Sequence, residues 1–349
     1  MTAAKVNSHR RLAVALAARG DTELAGLMAE GRSATVGVGG SSSVIDIDGA
    51  PVFAKRVPLS ERELAHPGCT ANFFDVPTYC QYGIGGPSFN TWRELAANTM
   101  VTEAVLRGET GAFPMLYHWR VLPGRSPIAE DHADIDAVVA AQGDSPAVRA
   151  RLEALVVAPA SLALFCEYIP NTVADLLSED PASKALSFAQ QLSEIVTFLR
   201  GRRLLHMDCH FGNLRSAGDR IYLTDFGLAT SPLFDLSPAE RAFVDRHAGH
   251  DADYAAMRLV NWLATDVCGA SRGYPPVGRN EFVRRCASGR IPDDVPPVVA
   301  ALLARHAPAA ARLNAFFWKL FDGEVHAEYP SGSDMSLSDW TIHGDAARG

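Results

Sequence analysis

Pro170 separates two stretches of this chain whose hydrophobic patterns belong to different kinds of structure. Before it, "SATVGVGGSSSVIDIDGAPVFAKRV" (33–57) reads as three short strands. The first ends at a glycine-rich turn, and Asp48-Gly49 supplies a hairpin between the next two. "FPMLYHWRVL" (113–122) and "SLALFCEYI" (161–169) read as further strands, the second stopped by Pro170. Beyond the proline the periodicity is helical. "ASKALSFAQQLSEIVTFLRGRR" carries an apolar stripe of Leu186, Ala189, Leu192, Val196 and Leu199, and "TVADLLSE", "DADYAAMRLVNWLATDV" and "PPVVAALLARHAPAAARLNAFFWKLF" follow the same habit. Strands gathered before helices predict an α+β chain. No G-x-G-x-x-G joins a strand to a helix, so a dinucleotide fold is not indicated.

The first stretch is not strands alone. Residues 1–32 form a helical extension whose Leu12, Leu16, Leu24 and Met28 suit an amphipathic helix. "TWRELAANTMVTEAVLRGE" (91–109) is predicted helical, with Thr91 as N-cap and Glu94 completing a capping box. Two insertions interrupt the strand-rich region of 33–169. Residues 58–90 have no periodicity and carry Pro58, Pro67, Pro77 and Pro87, while 123–158 holds two helices, near 133–142 and 146–156. The region 170–349 follows as the helical part.

Composition removes several classes of function. Of the 349 residues 48% are apolar, yet no apolar run reaches the ~20 needed to cross a bilayer. The run Leu12 to Ala18 is short for a signal peptide and is followed at once by Arg19 and Asp21, which points to a cytoplasmic protein. A net charge of -8, with no basic run longer than two residues, argues against nucleic acid as a partner. Six cysteines without a C-x-x-C pair indicate neither a zinc site nor a disulfide framework.

Polar chemistry concentrates in "HMDCHFGNLRSAGDRIYLTDFGLA" (206–229), between a helix and a strand. Asn213 stands five residues after Asp208, and Asp225-Phe226-Gly227 begins twelve residues after Asn213. Asn213 and Asp225 supply the oxygen ligands a divalent metal on a nucleotide triphosphate requires, and Asp208 is placed to orient a hydroxyl and take its proton. His206 and His210 read as loop-shaping residues. Upstream, only 4 of the 32 basic residues are lysine, so Lys55 in "VFAKR" carries more information than a surface lysine would. The glycine-rich turn "VGVGGSSS" (36–43) puts Gly37, Gly39, Gly40, Ser41 and Ser42 where backbone N–H groups can approach phosphate oxygens.

Taken together, these motifs resemble the protein-kinase-like superfamily. The pattern His206-x-Asp208-x-His210-x-x-Asn213 is similar to the loop of the aminoglycoside phosphotransferase and choline kinase branch. The resemblance covers about 33–265 and implies a bilobal fold, with a small antiparallel-sheet N-lobe and a mainly helical C-lobe. It implies ATP and Mg²⁺ as cofactors, Asp208 as the catalytic base and Asn213 and Asp225 as metal ligands. It makes Lys55 the clamp on the phosphates, paired with Glu94, or with Glu103 further along the same helix. The stretch around Glu167 and Tyr168 matches the hinge that binds adenine, and Asp253 matches an aspartate that braces the catalytic loop. No A-P-E follows the D-F-G, so the usual peptide-docking segment of protein kinases is not indicated. The expected activity is therefore transfer of phosphate from ATP to a hydroxyl of a small molecule. A serine/threonine kinase acting on a peptide is the alternative, and a pseudokinase binding module a further one.

Overall fold

The chain is an α+β protein. A computed structural model describes residues 3–37, 40–126 and 132–330, and the chain divides into two compact units. The first comprises 1–170, 206–208 and 224–245; the second comprises 171–205, 209–223 and 246–349.

In the first unit, strands β1 (Arg32–Gly37), β2 (Gly40–Ile47), β3 (Ala50–Leu59), β4 (Leu116–Pro123) and β5 (Ala160–Glu167) form one antiparallel sheet in the order β1-β2-β3-β5-β4. Asp48 and Gly49 both take positive φ, 52° and 79°, so the β2–β3 hairpin turns through the two residues the sequence nominated. Helices α1 (Ala3–Ala17) and α2 (Asp21–Glu30) bury Leu12, Leu16, Leu24 and Met28 in one core with Ile45, Ile47, Val52 and Phe165. The amphipathic extension is thus two helices. Gly20 is the N-cap of the second, where Asp21 and Glu23 complement its positive end.

A further core, made of Leu59, Trp92, Leu95, Leu116, Leu162 and Leu164, receives helix α4 (Thr91–Leu106). Its cap corrects the sequence reading. Asn90 is the N-cap, accepting from the Trp92 N–H at 2.8 Å, while the Thr91 hydroxyl donates to the Pro58 carbonyl at 2.9 Å. The error spans one residue because Asn and Thr share the same capping chemistry.

The two insertions form one structure. Helix α3 (Glu61–Ala65) and a 3₁₀ turn (Thr78–Tyr82) lie in the first, and α5 (Ile135–Ala141) and α6 (Pro146–Val156) in the second. Phe74, Val76, Cys80 and Phe89 of one pack with Val138, Val139, Val148 and Leu152 of the other. A fully buried ion pair joins them, Arg151 to Glu63 at 2.8 and 2.9 Å. Most of helix α9 (Pro238–Arg246) completes this unit.

The second unit is mainly helical. It holds α7 (Val173–Ser178), α8 (Pro181–Gly201), α10 (His250–Trp262), α11 (Val277–Ala287) and α12 (Pro297–Phe321). A small sheet in the order β6 (Asn171–Thr172), β7 (Leu214–Ala217) and β8 (Arg220–Leu223) accompanies them. The buried stripe of α8 runs through Ala185, Phe188, Ala189, Leu192, Ile195, Val196 and Leu199; Leu186 is only half-buried. Asn261 of α10 and Asn314 of α12 exchange two side-chain hydrogen bonds of 2.9 Å, so neither buried amide is left unsatisfied. Among the described residues no helix is long and apolar enough to cross a membrane.

Candidate functional site

Three residues far apart in sequence meet in the first unit. The Lys55 ammonium donates to Glu94 Oε1 at 2.7 Å and to Asp225 Oδ1 at 2.8 Å. Lys55 is on the central strand β3, where its register partners are Ser42 of β2 and Leu164 of β5. Glu94 lies in the first turn of α4, and Glu103, the other carboxylate considered on that helix, pairs instead with Arg107 at 3.3 Å on the surface. Asp225 adopts a left-handed backbone, φ 63°, a conformation that Asp tolerates better than most residues.

The electrostatics follow from counting charges. Burial opposes the Lys55 cation, but Asp225 and Glu94 outweigh it and the ammonium pKa is raised. Burial, aided by the negative Asp225, raises the Glu94 carboxyl against the pull of Lys55. Asp225 goes the other way. Desolvation favours its neutral form, yet Lys55 and the Gly227 N–H hold its carboxyl below the usual range. Two carboxylates face one ammonium, and the Asp225 side chain is still 43% exposed while Glu94 is 4% exposed.

Helix α4 is also held from beside Glu94. Arg93 donates to Glu240 of α9 at 2.7 Å and to the Thr70 carbonyl at 2.7 Å, and Thr70 in turn donates through N–H and hydroxyl to Asp235, at 3.0 and 2.9 Å. The helix carrying Glu94 is thereby tied to the segment that follows Asp225. None of these residues stands out in the sequence, because each is an ordinary polar side chain whose partner is distant.

His206 shapes the loop before Asp208. It is fully buried, its Nε2 donates to the Thr224 carbonyl at 3.0 Å, and its Nδ1 accepts from the Asp208 N–H at 3.2 Å. One neutral tautomer satisfies both bonds, so the ring joins the two loops. Phe226 packs on it with ring centres 4.9 Å apart.

Asp208 has a neighbour that the sequence reading did not assign to the site. Gly83, from the first insertion, approaches so closely that a Cβ built there would lie 3.2 Å from Asp208 Oδ1.

The remaining expected residues fall as follows. Gly37 and Gly40 pair across β1 and β2, Ser41 and Ser42 continue along β2, and Gly39 lies outside the described residues. Asn213 belongs to the second unit, in a short 3₁₀ turn where its N–H donates to the His210 carbonyl at 2.9 Å. A Cβ at Gly212 would stand 2.6 Å from the His210 ring, so that ring would have to move for any larger residue there. The Glu167 N–H is already taken by the Met115 carbonyl at 2.8 Å, and its carboxylate pairs with Lys5 at 3.0 Å, so that N–H is not open to adenine. Tyr168 accepts from Arg32 through its hydroxyl at 3.0 Å. Asp253 belongs to the second unit; its buried Oδ1 has no hydrogen-bond partner, and burial, opposed by Arg312, pushes its carboxyl up to about 6.

No protein-family model matches the chain, and no curated protein matches it.

Proposed function

We propose that this protein is an ATP-dependent phosphotransferase of the protein-kinase-like, bilobal type, moving the γ-phosphoryl group to a hydroxyl of a small molecule. The observation that carries the reading is the meeting of Lys55, Glu94 and Asp225. A strand lysine, a helix carboxylate and the aspartate of a D-F-G are the parts that hold nucleotide phosphates in such a site.

A divalent cation fits this charge balance. The cluster has one carboxylate more than it has cations, and the exposed edge of Asp225 is an oxygen donor at its open side. Mg²⁺ is bound through one or two carboxylates together with substrate phosphates. Asp225 would be its ligand on this unit, and the ion would supply neutralisation of phosphate charge.

The protein's own groups divide the remaining work. Glu94 fixes the Lys55 ammonium so that it is presented to phosphate oxygens without having to be ordered during the reaction. His206 fixes the Asp208 N–H, and with it the backbone that carries the carboxylate. The bond from the γ-phosphorus to its bridging oxygen breaks, a bond to the acceptor oxygen forms, and the acceptor proton passes to Asp208. The products are ADP and a phosphate ester. Asp208→Asn removes the proton acceptor with little change of shape. It lowers ATP turnover, followed as ADP release, by on the order of 100-fold or more. Turnover retained near the wild-type level in that variant overturns the assignment.

A further inference from the structure

The two insertions are built to hold one short segment in place. From the 3₁₀ turn to Gly86, side-chain hydrogen bonds tie the segment to the second insertion and to the loop after Asp225. The Tyr79 hydroxyl donates to the Gln142 carbonyl at 2.7 Å, the Gln142 side chain donates to the Ile84 carbonyl at 2.9 Å, and His132 Nε2 lies 3.1 Å from the Gly85 carbonyl. Buried Gln81 donates to the Leu228 carbonyl. Beneath them lies the core the insertions share, and Arg151 with Glu63 closes it. A surface loop with no task needs none of this, since loops ordinarily stay exposed and loosely held.

What the segment meets is Asp208. A Cβ at Gly83 would stand 3.2 Å from Asp208 Oδ1 and 3.4 Å from Leu228 Cδ1, and Gly83 itself is exposed with φ 67°. The main chain therefore comes up against the carboxylate so closely that a Cβ would press on Asp208 Oδ1 by a few tenths of an ångström. Gly85, two residues on, has φ 86° and nothing within 4 Å of its Cβ position. The same loop thus holds two left-handed glycines, and only one of them is crowded.

We infer that the paired insertions form the acceptor-side wall of the site, with Gly83 setting the clearance over the Asp208 carboxylate at which the acceptor hydroxyl arrives. The wall rests on the phosphotransfer reading and adds to it the element that selects acceptors. Gly83 is a positioning residue: it acts through Asp208 and takes no proton itself.

The test uses the full chain with Mg²⁺·ATP and water as the acceptor, measuring ADP release in wild type, Asp208→Asn, Gly83→Ala, Gly83→Asn and Gly85→Asn. Asn tolerates a left-handed backbone better than Ala. If only backbone strain mattered at position 83, Asn would be the milder change; if clearance matters, Asn is at least as harmful as Ala. Both Gly83 variants are expected to lower the Asp208-dependent kcat at least tenfold, with KM for ATP within twofold and Gly85→Asn close to wild type. Asp208-dependent turnover that survives Gly83→Asn, or that falls equally in Gly85→Asn, overturns the wall alone. Turnover equal in wild type and Asp208→Asn sinks the phosphotransfer reading and the wall with it. Should Gly83→Asn fail to fold by thermal melting, Gln81→Met decides. It keeps the bulk but loses the bond to Leu228, so a drop in kcat at constant KM supports the wall, and an unchanged kcat overturns it.

Discussion

Arg151 and Lys55 are buried cations in the same unit, each held by carboxylates, and they differ in charge balance and exposure. Arg151 meets one partner, Glu63, and both side chains are 0% exposed. Glu63 also accepts from the N–H groups of Ser60 and Thr91, at 2.9 and 2.7 Å, and Arg151 spends its Nε on the Ser88 carbonyl at 3.0 Å. Charge is balanced and the cluster is shut. Lys55 meets two carboxylates, one of them 43% exposed, so its cluster is unbalanced and open on one side. Both use the same interactions at similar distances. A closed, neutral pair holds elements together, whereas the proposed cation would meet an open cluster with surplus negative charge.

The largest effect belongs to the closed pair. Arg151→Met leaves Glu63 charged and buried without its counter-ion, which costs about 3–5 kcal/mol of stability. Denaturant midpoints measure it. The double variant Arg151→Met with Glu63→Leu is expected to recover most of the loss, because the cost comes from an unpaired buried charge more than from a missing attraction. No recovery would mean that the hydrogen bonds to Ser60, Thr91 and Ser88 matter more than the charges.

The open cluster responds in activity first. On the proposed phosphotransfer, Lys55→Met is expected to lower ATP turnover by about 100-fold or more, equivalent to roughly 2.7 kcal/mol of transition-state stabilisation. Its stability changes by less than that of Arg151→Met. Asp225 can hydrate through its exposed edge, and the Glu94 carboxyl, already raised by burial, takes up a proton instead of remaining an unpaired anion. Unfolding of Lys55→Met to the same extent as Arg151→Met would erase the distinction between the clusters.

The two clusters were unequally legible in the sequence. Lys55 is visible because lysine is rare in this chain and because its spacing from the glycine-rich turn is set by strands of regular length. Glu94 is visible because a helix fixes its register, although the cap was misplaced by one residue. Glu63 and Arg151 left no signal. The insertion holding Glu63 has no periodicity, since Phe74, Val76, Cys80 and Phe89 pack against α5 and α6 and not along a regular element of their own. A core whose first half comes from an irregular segment imposes no repeat on that segment. Gly83 was hidden for a related reason: a glycine in a proline-rich stretch reads as a turn until the carboxylate it approaches is known. Helices α9 and α11 were missed as well, being short and largely polar.

Acid separates the clusters by sign, the smallest of the expected effects. In the closed pair burial favours the neutral Glu63 carboxyl, but Arg151 and the surrounding hydrogen bonds prevail, so its pKa is held below the ordinary 4.5. The unfolded chain then binds the proton first. The stability this ionised group contributes is full above pH 4.5 and drains away as pH falls through the lower folded value. Glu94 is raised above 4.5, so the folded chain binds the proton first, and stability rises as pH falls from neutrality through that raised value towards 4.5. Unfolding free energies of wild type, Glu63→Gln and Glu94→Gln between pH 7 and pH 3 resolve the two windows. The advantage of wild type over Glu63→Gln shrinks below pH 4.5, and the standing of wild type relative to Glu94→Gln improves above it. Differences that move the same way with pH would show that the Lys55 cluster is closed and balanced after all, which would remove its surplus charge and with it the place for a cation.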